Sequence, residues 1–79
     1  MSVVTLYGSP ECHLCEQARA LLERVRADHD FELVEYDITS DDDLHRAYLE
    51  RIPVVAVDGE ECFELIVSER ELRARLASH

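Results

Sequence analysis

Seventy-nine residues make room for one small domain, expected to span 1–79, and eighteen Asp and Glu stand against eight Arg with no Lys, a formal net charge of −10. The acids are spread over both halves, so the chain lacks the basic stripe that nucleic-acid phosphates need and the cationic patch that anionic lipid needs. An apolar fraction of 47% excludes a disordered chain.

No window approaches the roughly 18 apolar residues of a transmembrane helix. The start lacks the basic n-region of a signal peptide and breaks at Gly8-Ser9-Pro10. The expected setting is therefore the cytoplasm, with no membrane or nucleic-acid partner and, at this net charge, a monomer. Three cysteines are too few, and odd in number, for a disulfide-stapled secreted scaffold. They are expected to do chemistry or to sit in the core.

Val3 to Tyr7 is short, apolar and β-branched, and reads as a strand buried on both faces. From Cys12 to about Arg26, Leu14, Ala18, Leu21, Leu22 and Val25 recur at helical spacing opposite charged residues, which predicts an amphipathic helix. Phe31 to Ile38 is a second strand, and its acids suit a sheet edge. Thr39-Ser40-Asp41-Asp42-Asp43 is a capping cluster for a brief helix reaching about Glu50, with Leu44, Ala47 and Tyr48 facing inward. Val54–Val57 is a buried strand, Asp58-Gly59 a hairpin turn, and Glu61 to Val67 the returning strand. Ser68-Glu69-Arg70-Glu71 is a capping box that opens a last helix with Leu72, Arg73, Arg75 and Leu76. The order β-α-β-α-β-β-α predicts an α/β fold: one four-stranded mixed sheet with helices on both faces, its first two strands parallel and its last two a hairpin.

Cys12-His13-Leu14-Cys15 carries the chemistry. Two cysteines three apart at a helix start face one side and can close a small disulfide. Whether the helix begins at Pro10 or at Cys12, Cys12 falls in its first turn, where free N–H groups and the dipole favour a thiolate. His13, if protonated, tunes the thiol the same way, and otherwise reads as a solvated helix-start residue; Glu11 and Glu16 oppose the thiolate but are solvated and screened. Cys15, one turn further in, is expected to be less exposed. Cys12 is therefore the expected nucleophile and Cys15 the resolving thiol. A zinc half-site is disfavoured, because a structural zinc normally needs a second close Cys/His pair. Only Cys62 and the scattered His13, His29, His45 and His79 are on hand. Cys62 reads as a small core or edge hydrophobe, Asp41–Asp43 as helix-start acids, Glu60-Glu61 as solvated charge, His29 and His45 as surface residues, and Tyr7 and Tyr48 as core-edge aromatics.

Tyr7-Gly8-Ser9-Pro10-Glu11-Cys12-His13-Leu14-Cys15 after a hydrophobic strand, followed by Ile52-Pro53-Val54-Val55 before a hairpin, resembles the glutaredoxin branch of the thioredoxin superfamily, closest to small bacterial Cys-His-Leu-Cys proteins. The resemblance covers essentially the whole chain. It implies a thioredoxin-like fold with the first and third strands central, the outer two helices on one face and the middle helix on the other. It implies dithiol–disulfide exchange through Cys12 and Cys15, with Pro53 as a cis-proline facing the pair and Ile52 backbone pairing with an extended substrate. The partners would be a disulfide-bearing protein or small molecule and a thiol reductant, with no dissociable cofactor. Relatives that use glutathione carry Lys where Ser9 stands, Thr-Val-Pro where Arg51-Ile52-Pro53 stands, and a Gly-Gly pair after the hairpin where counting reaches Phe63-Glu64. Arg51 is then the one evident cation for an anionic tripeptide, and glutathione stays open as a co-substrate. Two alternatives use the same cysteines differently: a metal or iron–sulfur carrier, and a redox-inert binding module.

Overall fold

The computed structural model describes residues 2–77. In chain order these form β1 (Ser2–Gly8), α1 (His13–Arg26), β2 (Phe31–Asp37), a 3-10 turn over Ile38–Ser40, α2 (Asp42–Tyr48), β3 (Val54–Val57), β4 (Glu60–Glu64) and α3 (Glu69–Ala77). His79 lies outside the described residues. The sheet runs β2-β1-β3-β4, with β1 parallel to β2 and antiparallel to β3, and β3–β4 an antiparallel hairpin. This is the expected architecture, with β1 and β3 central and acid-rich β2 at the edge. Among the described residues no helix is long and apolar enough to cross a membrane.

The side-chain period of two separates two layers. Val4 and Leu6 of β1 and Val55 and Val57 of β3 face Ala18, Leu22 and Val25 of α1 and Leu72 and Leu76 of α3, and together with Phe31 they form the main core. Burying side chains of this size contributes about 1.5–3 kcal/mol each. On the other face Ile38, Val54 and Ala56 are buried outside that cluster. There Tyr7 stacks on Tyr48 of α2 with ring centroids 4.6 Å apart. The outer helices thus share one face and α2 takes the other.

The turns follow from local chemistry. Asp58 (φ 52°) and Gly59 (φ 87°) both take the positive φ that a two-residue type I′ hairpin requires. Asp41 caps α2 by accepting from the N–H groups of Asp43 and Leu44, and Ser68 Oγ caps α3 by accepting from Glu71 N–H.

Several expectations are corrected. β1 is not buried on both faces: Val4, Leu6 and Gly8 are buried while Val3, Thr5 and Tyr7 are half-buried, because only short α2 covers their side. α1 begins at His13, with Cys12 in extended conformation as its cap rather than in its first turn. The inward row is Cys15, Ala18, Leu22 and Val25, so Leu14, one position off that row, is 42% exposed. β2 ends at Asp37, whose carboxylate accepts from Thr39 N–H and Oγ1 and turns Ile38 into the interior. α2 stops at Tyr48 and leaves Ala47 exposed; backbone N–H groups of Arg51 and Ile52 both fold back onto the Tyr48 carbonyl ahead of Pro53. β4 ends at Glu64 rather than Val67. Leu65 takes φ 68° and its N–H leaves the ladder for the Arg51 and Pro53 carbonyls, at 3.1 and 2.9 Å.

Candidate active site

Buried Gly8 closes β1, and the chain turns through Ser9–Glu11 to place Cys12 at the head of α1. Cys12 Sγ accepts a hydrogen bond from Cys15 N–H at 3.1 Å, one of the donors that a helix start leaves unpaired. The two cysteines form a disulfide, with Cα atoms 5.1 Å apart. Cys12 is half-buried and Cys15 only 6% exposed. Gly8 suits that packing: a Cβ there would stand 3.0 Å from Cys15 Sγ and 3.1 Å from its Cβ, tight enough that Cys15 would have to shift by a few tenths of an ångström. The His13 ring projects into solvent, its Nδ1 3.8 Å from Glu16.

The Ile52–Pro53 peptide is cis. Tyr7 pairs with Val54 across the β1–β3 ladder, so Gly8 and Pro53, the next residues along, sit at the same end of the sheet. The cysteine pair and the cis-proline are therefore brought to one edge of the molecule. Pro53 is fully buried and Ile52 half-buried. Ile52 N–H is taken by the Tyr48 carbonyl at 3.1 Å.

Arg51 is placed differently from its two neighbours. Its guanidinium donates to Glu61 and to Glu64, both at 2.6 Å, and lies 5.2 Å from the Tyr48 ring centroid. The Glu64 and Glu61 bonds push its pKa above the usual guanidinium range. Tyr48 hydroxyl donates to Glu61 at 2.7 Å, which pushes the phenol up to about 12 and, with Arg51, holds the Glu61 carboxyl below the usual carboxylate range. The cation expected to meet a substrate carboxylate thus already has two carboxylates of its own.

Glu61 and Glu64 are the residues that the sequence does not signal: Glu60-Glu61 reads as plain solvated charge, yet Glu61 holds Arg51 and Glu60 pairs with Arg75 at 2.9 Å. Gly8 reads in the sequence only as a strand stop; its place just ahead of the cysteine motif is the available signal. Cys62, the extra residue of a β4 bulge, is half-buried against the main core, and its thiol donates to the Glu60 carbonyl at 3.1 Å. Among the described residues no group of three or more His, Cys, Asp or Glu is arranged to hold a metal ion.

A four-stranded sheet between helices, with a Cys-x-x-Cys pair at the first helix start and a cis-proline at the same end, defines a thioredoxin-like protein. Residues 3–77 match the family model described as Glutaredoxin-like domain (DUF836), and the chain belongs to that family. It is similar to a protein from X. campestris, structural genomics target XcR50, at 32% identity with TM-score 0.79, covering 96% of this chain and 97% of that one. It is also similar to protein Ne2328 from Nitrosomonas europaea, at 28% identity with TM-score 0.81 and coverage of 95% and 91%. A mutant thioredoxin from Halobacterium salinarum NRC-1 shares the fold, at 21% identity with TM-score 0.73 and coverage of 98% and 73%. No curated protein matches the sequence.

Proposed function

We propose that the protein is a dithiol–disulfide oxidoreductase acting in the cytoplasm on protein or small-molecule disulfides. The Cys12 thiolate attacks one sulfur of the substrate disulfide, and the other substrate sulfur leaves as a thiolate and takes a proton. The Cys15 thiolate then attacks Cys12 Sγ in the mixed disulfide, releases the second half of the substrate, and leaves the Cys12–Cys15 disulfide. A thiol reductant returns both cysteines to the reduced state. No dissociable cofactor enters these steps.

The observation that carries this reading is Cys12 Sγ at the α1 cap, accepting the Cys15 N–H, with the Cys15 sulfur joined to it. Backbone N–H donors at a helix start lower a thiol pKa, and the half-buried Cys12 leaves a partner a way in. Ile52 and Pro53, at the same end of the sheet as the pair, would supply the substrate-binding edge; with Ile52 N–H bonded to the Tyr48 carbonyl, pairing would run through the Ile52 carbonyl. The Glu61–Arg51–Glu64 arrangement disfavours glutathione as the specific substrate. His13, turned to Glu16, plays at most a minor part beside the amide donor.

Insulin reduction by a dithiol-recycled enzyme tests the roles. Cys12→Ser is expected to abolish turnover, and Cys15→Ser to accumulate a mixed disulfide that mass spectrometry detects on Cys12. Turnover at the wild-type rate in Cys12→Ser would reject the assignment.

A further inference from the structure

Strand register places one charged cluster directly behind the cysteine pair. Tyr36, Tyr7, Val54 and Glu64 form one cross-strand row of the sheet. The next residue along each segment, Asp37, Gly8, Pro53 and Leu65, lies at the end of the sheet that carries the cysteines, where Gly8 abuts Cys15. Leu65 N–H bonds to the Arg51 and Pro53 carbonyls at 3.1 and 2.9 Å, which ties Arg51 to that end. The Arg51 guanidinium bonds Glu64, in the row behind, and Glu61, each at 2.6 Å.

We propose that Glu61 and Glu64 are specificity-determining residues: by occupying Arg51 they turn the exchange site against carboxylate-bearing disulfides and toward disulfides with an ammonium or guanidinium near the reacting sulfur. This rests on the exchange reading above, and it goes from one disfavoured tripeptide to the residues that set the class of substrate.

A free arginine beside a substrate edge is a fork that matches a carboxylate with two parallel bonds. Here the fork is filled from within the chain. Glu64 takes Nε and Glu61 takes Nη2, and Glu61 is itself held by the Tyr48 hydroxyl at 2.7 Å. A substrate carboxylate would have to displace one of the two and would still face the other. Two carboxylates against one guanidinium leave the cluster a net anion.

The β2 side of the site is built in the same sense. Arg19, which shares a cavity with Cys15, is bonded by Glu35 at 2.5 Å. Asp37 stands at the sheet end itself, its carboxylate fixed by Thr39 N–H and Oγ1. Both arginines are thus matched or outnumbered by carboxylates, on a chain of net charge −10. Selection of this kind works by repelling the wrong partner as much as by attracting the right one. An acidic surface also raises the rate at which cationic reactants arrive.

The first test uses the unmodified protein. Reduced protein is mixed at about pH 8, where histidine is neutral, with cystamine, bis(hydroxyethyl) disulfide or dithiodipropionate. These share a two-carbon spacer and carry positive, no and negative charge; each releases two thiols for every Cys12–Cys15 disulfide formed. That disulfide is followed by acid quench and mass spectrometry, and each rate is divided by that of the same reagent with 2-mercaptoethanol to remove intrinsic reactivity. The expected order is cationic, neutral, anionic, with about tenfold or more between the ends at low salt and a smaller gap at about 1 M salt. A flat or reversed order overturns the selection and leaves the exchange reading standing; a reduced protein that none of the three oxidises overturns both. In the Glu61→Gln, Glu64→Gln double variant the amides keep acceptors for Arg51 without the charge, and the anionic-to-neutral rate ratio is expected to rise about tenfold. Glu23→Gln with Glu32→Gln removes the same charge from exposed positions away from the sheet end and is expected to move that ratio far less. No rise in the first double variant, or an equal rise in both, overturns the assignment to Glu61 and Glu64.

Discussion

The Arg51 guanidinium, the Tyr48 hydroxyl and the carboxylates of Glu61 and Glu64 form one cluster that ties α2, the cis-proline loop and β4 together. The Tyr48 phenol is raised to about 12, first by its bond to Glu61, so that bond contributes stability that is full below the free phenol value of 10.0 and is lost as pH rises through about 12. Spectrophotometric titration should therefore show a tyrosine ionising about two pH units above the free value of 10.0, and Glu61→Ala should bring it back toward that value. The same titration curve before and after Glu61→Ala would contradict the cluster. Sequence could not show this arrangement. Residues 61 and 64, an odd number apart, lie on opposite faces of a regular strand; the bulge at Cys62 turns both to the α2 side, opposite Ala56 and Val54.

At the scale of elements, order and type were legible because apolar spacing changes period cleanly between segments, and because Asp58-Gly59, Ser68 and Asp41 each have a local chemical reason to turn or cap the chain. Element ends were not, since they depend on partners distant in sequence: Leu65 leaves β4 for carbonyls at Arg51 and Pro53. The start of α1 likewise depends on the Cys12 sulfur acting as the cap, a role that sequence patterns reserve for oxygen side chains. At the hairpin, Gly59 has φ 87° and nothing within 4 Å of an added Cβ, so only backbone strain opposes a side chain there. Gly59→Ala is accordingly expected to cost about 1 kcal/mol, measured by urea unfolding. No loss would mean that the turn is not of the type described.

For the whole molecule, ion pairs join elements and helix turns across an acidic surface, and three hydrogen-bonded carboxylates set its acid limit. Glu69, bonded by Arg24 and Arg73, and Glu61, bonded by Tyr48 and Arg51, have pKa values below the ordinary 4.5; Asp37, bonded by Thr39, lies below 3.8. Groups lowered by folding contribute stability above their unfolded values and lose it as pH falls through the folded ones. Thermal unfolding should therefore lose stability progressively below about pH 4.5. A midpoint unchanged down to about pH 3 would contradict these bonds. The architecture and the cysteine pair were readable from the chain alone. The engagement of Arg51 was not, because it depends on β4 being paired and bulged first.

The most direct test of the account is the ionisation of Cys12 in the reduced protein, followed through the pH dependence of its alkylation rate in a Cys15→Ser, Cys62→Ser background. Held at the head of α1 by the amide of residue 15, the thiol should titrate well below the ordinary value of about 8.5. A midpoint at or above that value would show that the helix start does not hold a thiolate, and the proposed exchange chemistry would fall with it.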